Sequence, residues 1–121
     1  MTPHDFWLKQ AEEDLITAES MIEKKRYYAS AFFSQQAAEK ALKASILKKK
    51  REEKTTHSLV YLGKEADIPQ KFMEPLRRLS PQYFLARYPD ASDELPIDLY
   101  SEQSAQEFLT TAREVIAWVN K

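Results

Sequence analysis

The chain has 121 residues and a formal charge of −1, with 18 Lys and Arg against 19 Asp and Glu. It is expected to be one soluble domain spanning 1–121, with no net pull toward nucleic acid. At 14.1 kDa, folding is expected to leave about 6,700 Å² exposed from about 20,000 Å² in the open chain, enough burial for one core. The absence of Cys excludes disulfides, thiolate nucleophiles and Cys-based zinc sites, and suits a cytoplasmic location. With Gly63 the only glycine, no dinucleotide fingerprint, P-loop or nucleophile elbow can be written. Apolar stretches run for only a few residues and the N-terminus is polar, so neither a membrane span nor a signal peptide is expected.

Thr2-Pro3 with Asp5 reads as the capped start of a first helix over about 3–23. Its apolar stripe is Trp7, Ala11, Leu15, Ala18 and Ile22, set against Lys9, Glu12, Glu13, Glu19 and Glu23. The basic turn Lys24-Lys25-Arg26 leads to a second helix, about 27–49, with the stripe Tyr28, Ala31, Phe32, Gln35, Ala38, Leu42 and Ile46. Ala29, Ala37, Ala41 and Ala44 allow close approach on its flanks. Residues 48–54 form a charged linker, and Thr55-Thr56 are expected to cap a short third helix over about 58–66. A fourth helical stretch, 69–87, is expected to bend at Pro75 and restart at Ser80-Pro81. From Tyr88 to Leu99, prolines and acids mark a loop, and Ser101 opens a last helix over about 102–120. The fold class is all-α, an up-and-down bundle of four or five helices.

The two histidines, His4 and His57, form no H-x-x-x-H pair, and Glu12, Glu13 and Glu19 lack an E-x-x-H partner, so no metal site or cofactor is expected. Charge is uneven along the chain. Residues 40–54 are strongly basic and 88–112 hold no basic residue, which reads either as two solvated faces or as a basic end that meets an anion. Arg51 and His57 lie close enough in sequence for an imidazole base and a phosphate-holding guanidinium, the pair a metal-independent ribonuclease uses. Against this, His57 also reads as a helix-start residue packed on the core. Ala86-Arg87-Tyr88-Pro89-Asp90 falls where a helix meets the acidic loop. Arg87 there reads as a phosphate contact, or as a partner of Asp90 or a cap on preceding carbonyls.

The order of segments carries a resemblance. Trp7, Ala11, Asp14, Leu15 and Ala18 are followed by Tyr27-Tyr28-Ala29, by Gln35-Gln36-Ala37-Ala38-Glu39-Lys40-Ala41-Leu42-Lys43-Ala44, by His57-Ser58-Leu59, and by Arg87-Tyr88-Pro89-Asp90. Tyr100 and Ala117-Trp118-Val119 complete the pattern. Over nearly its whole length the chain resembles the HEPN family (higher eukaryotes and prokaryotes nucleotide-binding domains). The resemblance implies a bundle like the C-terminal, substrate-binding domain of kanamycin nucleotidyltransferase. It also implies a homodimer that partners a minimal nucleotidyltransferase in a toxin–antitoxin-like pair and binds nucleotide or RNA. The family's ribonuclease pattern is an Arg and a His with four to six residues between them. Its Arg corresponds to Arg87, but positions 92–94 read Ser92, Asp93 and Glu94. A binding module without ribonuclease activity is therefore expected, with Arg87, Tyr88, Asp90, Lys40 and Lys43 as ligand-binding candidates. The alternative is an endoribonuclease toxin drawing on Arg87, Arg51 and His57.

Overall fold

Thr2 precedes α1 (Pro3–Glu23), and its N–H and hydroxyl both donate to the Asp5 carboxylate at 2.9 and 2.8 Å. The two bonds hold the Asp5 carboxyl below its usual range. In the computed structural model, which covers residues 1–121, α1 turns through Lys24–Arg26 into α2 (Tyr27–Lys50). The chain continues through α3 (Leu59–Glu65), α4 (Met73–Leu79), α5 (Gln82–Leu85), α6 (Pro96–Leu99) and α7 (Glu102–Val119), with no strand anywhere.

The hub is α2, which touches every other helix. Ala31, Ala37, Ala38 and Ala41 are fully buried on it, and Leu42 and Ile46 fill the space between α1, α3 and α7. A helix covered on several sides cannot show one clean apolar stripe, which is why α2 mixes alanine, serine and paired charges. Leu59 and Leu62 from α3, Leu76 and Leu79 from α4, and Ala112, Val115 and Ile116 from α7 complete the core. Each such leucine contributes on the order of 1.5–3 kcal/mol through burial. The molecule exposes 7001 Å², close to the monomer scaling for its mass.

The middle of the chain differs from the sequence expectation in its details. Pro75 does not bend a long helix. It is the third residue of α4, which a 3₁₀ turn over Gln70–Phe72 precedes, and in a first turn the missing N–H costs nothing. Ser80 does not cap α5 either: its hydroxyl accepts from the Leu59 N–H at 2.9 Å and anchors the start of α3. The cap of α3 is Ser58, whose hydroxyl accepts from Tyr61 N–H at 3.2 Å, while Thr56 supports Ser58. Within 88–99, read as irregular, Pro89 opens a 3₁₀ turn (Pro89–Ala91) and Pro96 opens α6. The start of α7 is a reciprocal cap, Ser101 and Ser104 each accepting from the other's N–H. No helix is long and apolar enough to cross a membrane.

Gly63 lies in α3 where a Cβ would stand 2.9 Å from Leu76 Cδ1 and 3.1 Å from Ile68 Cγ2. A Gly63→Ala substitution gains about 1 kcal/mol of helix propensity, but overpacking a buried seam costs about 1–3 kcal/mol. The expected outcome is a net loss of about 1 kcal/mol, read as a drop of several degrees in Tm. A raised Tm would mean that the α3–α4 seam gives way freely.

Candidate functional site

Residues 35–43 of α2 carry two polar stripes at helical spacing. On the first, Gln35, Glu39 and Lys43 follow one another four residues apart, and all three are buried. Glu39 accepts from Lys43 Nζ at 2.9 Å and from Gln35 Nε2 at 3.2 Å. On the second, Lys40 reaches across to Asp14 of α1 at 2.5 Å, and Gln10 donates to the same carboxylate at 2.9 Å. The stripes therefore pin α2 to α1 and to whatever lies over Glu39.

What lies over Glu39 is His57. Arg51 ends α2 in the left-handed conformation (φ 57°), and the linker beyond it returns along the helix without regular structure. His57 Nδ1 then sits 2.9 Å from Glu39 Oε1, and the His57 carbonyl accepts from Gln35 Nε2 at 3.2 Å. The imidazole stacks on Tyr83 of α5 with ring centroids 4.6 Å apart, and half of its side chain stays exposed. The Glu39 contact selects the tautomer that carries the proton on Nδ1, leaving Nε2 free.

Tyr83 connects this cluster to Arg87. The residue before Pro89 is pushed out of the helical region, so Tyr88 is extended (φ −110°, ψ 119°) and the helical path stops at Arg87. Arg87 Nε donates to the Tyr83 carbonyl at 2.8 Å, one turn back. Its guanidinium lies 4.8 Å from the Phe32 ring centroid and 5.1 Å from that of Tyr88. At an exposed site such contacts contribute only about 0.5–1 kcal/mol each, and a lysine in the same place can keep part of that. The two terminal nitrogens have no protein partner, and the residue is exposed. Of the two structural alternatives, the partnership with Asp90 is not formed, and neither Asp90 nor Asp93 pairs with Arg87, whereas the bond to a preceding carbonyl is the one to Tyr83, and the aromatic faces flank the guanidinium. Beside it, Tyr28, Ala86, Pro89, Leu95, Pro96 and Ile97 line a shallow cavity of about 480 Å³. Tyr100 reinforces the arrangement, its hydroxyl donating to Gln82 of α5, and burial pushes that hydroxyl up to about 12.

The sequence candidates thus divide. Arg87 and Tyr88 come together at an exposed aromatic edge, with Phe84 and Tyr83 continuing the row and His57 stacked at its far side. Asp90 is exposed in the 3₁₀ turn and makes no side-chain contact with Arg87. Lys40 and Lys43 are not open to a ligand in this arrangement: Lys43 is only 7% exposed, bound to Glu39 and lying over the Trp7 ring, and Lys40 is held by Asp14. Arg51 makes no side-chain hydrogen bond or ion pair, and its expected partner His57 belongs to Glu39 instead. No group of three His, Cys, Asp or Glu residues is arranged to hold a metal ion. The functional geometry that the sequence reading missed is the Glu39–His57 pair. Its only trace in sequence is Gln35-x3-Glu39-x3-Lys43, a polar stripe running through alanines.

A family model, the HEPN domain, matches residues 4–121. The chain belongs to the HEPN family. Among solved structures, TT1696 from Thermus thermophilus is 31% identical, with a TM-score of 0.91 over 99% of this chain and 98% of that one. ST0689, an archaeal HEPN homologue, is 34% identical, with a TM-score of 0.83 over 99% and 97% of the two chains. An HEPN domain protein from Thermotoga maritima is 26% identical, with a TM-score of 0.74 over 95% and 94%. No curated protein matches the chain. The helical bundle of this HEPN domain is therefore shared along its whole length with solved structures.

Removing Glu39 leaves the Lys43 ammonium buried without a partner, and breaking a buried pair this way costs about 3–5 kcal/mol. Glu39→Met is expected to lower stability by that amount in urea unfolding. Glu39→Met combined with Lys43→Met is expected to recover most of it, because no charge is then stranded. Equal losses in the single and double variants would show that the pair is not what the site depends on.

Proposed function

We propose that this HEPN domain is a nucleotide- or RNA-binding module whose phosphate contact is Arg87. The observation that carries the reading is the state of that guanidinium: Nε is held by the Tyr83 carbonyl, its faces rest on Phe32 and Tyr88, and both terminal nitrogens point to no protein group. A fork held in one orientation with its outer donors free matches the paired oxygens of a phosphate. Phe84 and Tyr88, each 44% exposed, add aromatic faces on which a base can stack.

The module works without ribonuclease activity of its own, because Ser92, Asp93 and Glu94 stand where the family pattern requires a His beside the Arg. It acts as a homodimer that docks a minimal nucleotidyltransferase in a toxin–antitoxin-like pair. Dimerisation is supported by Leu95 and Ile97, 53% and 58% exposed next to the cavity at Arg87. The nucleotidyltransferase partnership is supported by the family resemblance alone.

One observation favours a second reading, an endoribonuclease with His57 as base. Glu39 holds Nδ1 and leaves Nε2 free on a half-exposed side chain, the orientation that a carboxylate gives a general-base histidine.

Arg87→Lys decides the first reading. Exposed contacts of this kind add little to stability, so Tm is expected to stay nearly unchanged while binding of a short RNA oligonucleotide weakens about tenfold. A large fall in Tm with binding intact would make Arg87 a structural cap. RNA incubated with the purified protein is expected to remain intact; cleavage that disappears in His57→Ala would establish the second reading instead. Light scattering at micromolar concentration is expected to report twice the chain mass, and a 14 kDa species alone contradicts the dimer.

A further inference from the structure

About 24 Å along α2 from Phe32, measured at 1.5 Å per residue, the basic end of the chain closes over a second cavity of about 320 Å³. The first turn of α1 and the last turns of α2 and α7 form its walls, with Leu8, Ala44, Trp118 and Val119 supplying the apolar surface. We infer that this cavity is a separate binding site for a small phosphate-ester dianion, independent of Arg87.

Three observations support the assignment. Lys48 and Lys49 both line the cavity and neither forms an ion pair, although seven pairs form elsewhere in the molecule. Lys49 is nonetheless held in place, its ammonium 4.7 Å from the centre of the Trp118 ring. The one acidic side chain in the lining, Asp5, is already committed to Thr2 and lies 3.7 Å from His4 Nε2. Lastly, Ser45 lines the same cavity, is only 4% exposed, and its hydroxyl makes no hydrogen bond to the protein.

The negative end of the α2 dipole accounts for a lysine in the last turn. It does not account for two unpaired ammonium groups sharing one cavity with a serine hydroxyl that makes no hydrogen bond within the protein. Two ammonium charges match the charge of about −1.5 to −2 that a phosphomonoester carries at neutral pH, and the Ser45 hydroxyl supplies a neutral donor in the same lining. The volume is at the low end of the range for ligand pockets, about 300–1,000 Å³, which selects a small phosphorylated molecule over a polymer.

The test is an amide and indole NMR titration of the full chain with inorganic phosphate and with glycerol 3-phosphate at constant ionic strength. Saturable shifts are expected at the Trp118 indole N–H and the Ser45 and Lys48 amides. Lys48→Ala is expected to weaken binding at least tenfold, and Ser45→Ala several-fold, with Arg87→Ala binding as the unaltered chain does. Thermal unfolding of the Lys48→Ala protein, altered only at an exposed side chain, is expected to be unchanged. Shifts that do not saturate, shifts spread equally over Lys9, Lys64 and Lys71, or unchanged affinity in Lys48→Ala would each overturn the inference.

Discussion

The carboxylate of Glu39 is shared between two partners that come from different parts of the chain. Lys43 binds it from the next turn of the same helix, and His57 binds it from the linker that returns along that helix. A buried carboxylate with one partner is costly to desolvate; with an ammonium, an imidazole and the Gln35 amide it is fully engaged. That shared carboxylate fixes where His57 lies. The His57 ring is the surface on which Tyr83 stacks, and the Tyr83 carbonyl orients Arg87. The candidate site is therefore built outward from a polar cluster inside the bundle, through one aromatic stack, to a guanidinium at the surface.

This arrangement depends on how small the residues of α2 are. Ala37, Ala38 and Ala41 are fully buried on this helix, and Gln35, Glu39 and Lys43 of the polar stripe are buried with them. That burial closes off Lys43, and Lys40, partly exposed, is held by Asp14, although both lie in the most basic part of the chain. Unpaired positive charge stands beside a cavity at Lys48 and Lys49 in the last turn of α2 and at Arg87 over Phe32 near its start, and these two places, toward opposite ends of one helix, are where the proposed sites meet anions. The acidic residues of 90–102 surround only the Arg87 end, so a ligand there must be held by directed bonds and stacking more than by net attraction.

How far the sequence reveals this follows from the range of each interaction. Helices α1, α2 and α7 are legible to within a residue or two because each is long enough for its apolar spacing to repeat and each has a recognisable start, Ser101 being the clearest. Pro75 is easily misread because a proline in a first turn and a proline in a helix interior look alike until the start of α4 is known. Helix α6 has four residues, too few for any period to appear. At the site, the rule for a residue before proline places Arg87 at a helix end. What it cannot supply is the neighbour: Phe32 is fifty-five positions away in sequence, and only packing brings it under the guanidinium in place of Asp90 or Asp93. Lys43 and His57 fail for the same reason, since their partner Glu39 becomes a shared ligand only once the linker has folded back.

The central claim is that His57 serves the site through Arg87, by way of Tyr83, and not by separate contact with a ligand. Affinity for one short RNA oligonucleotide, measured at fixed salt for the unaltered chain, His57→Ala, Arg87→Ala and the double variant, tests it directly. If His57 acts only by positioning, the double variant binds no more weakly than Arg87→Ala alone. Losses that add, with the double variant weaker by the full His57→Ala effect, would give His57 its own contact with the ligand and contradict the account.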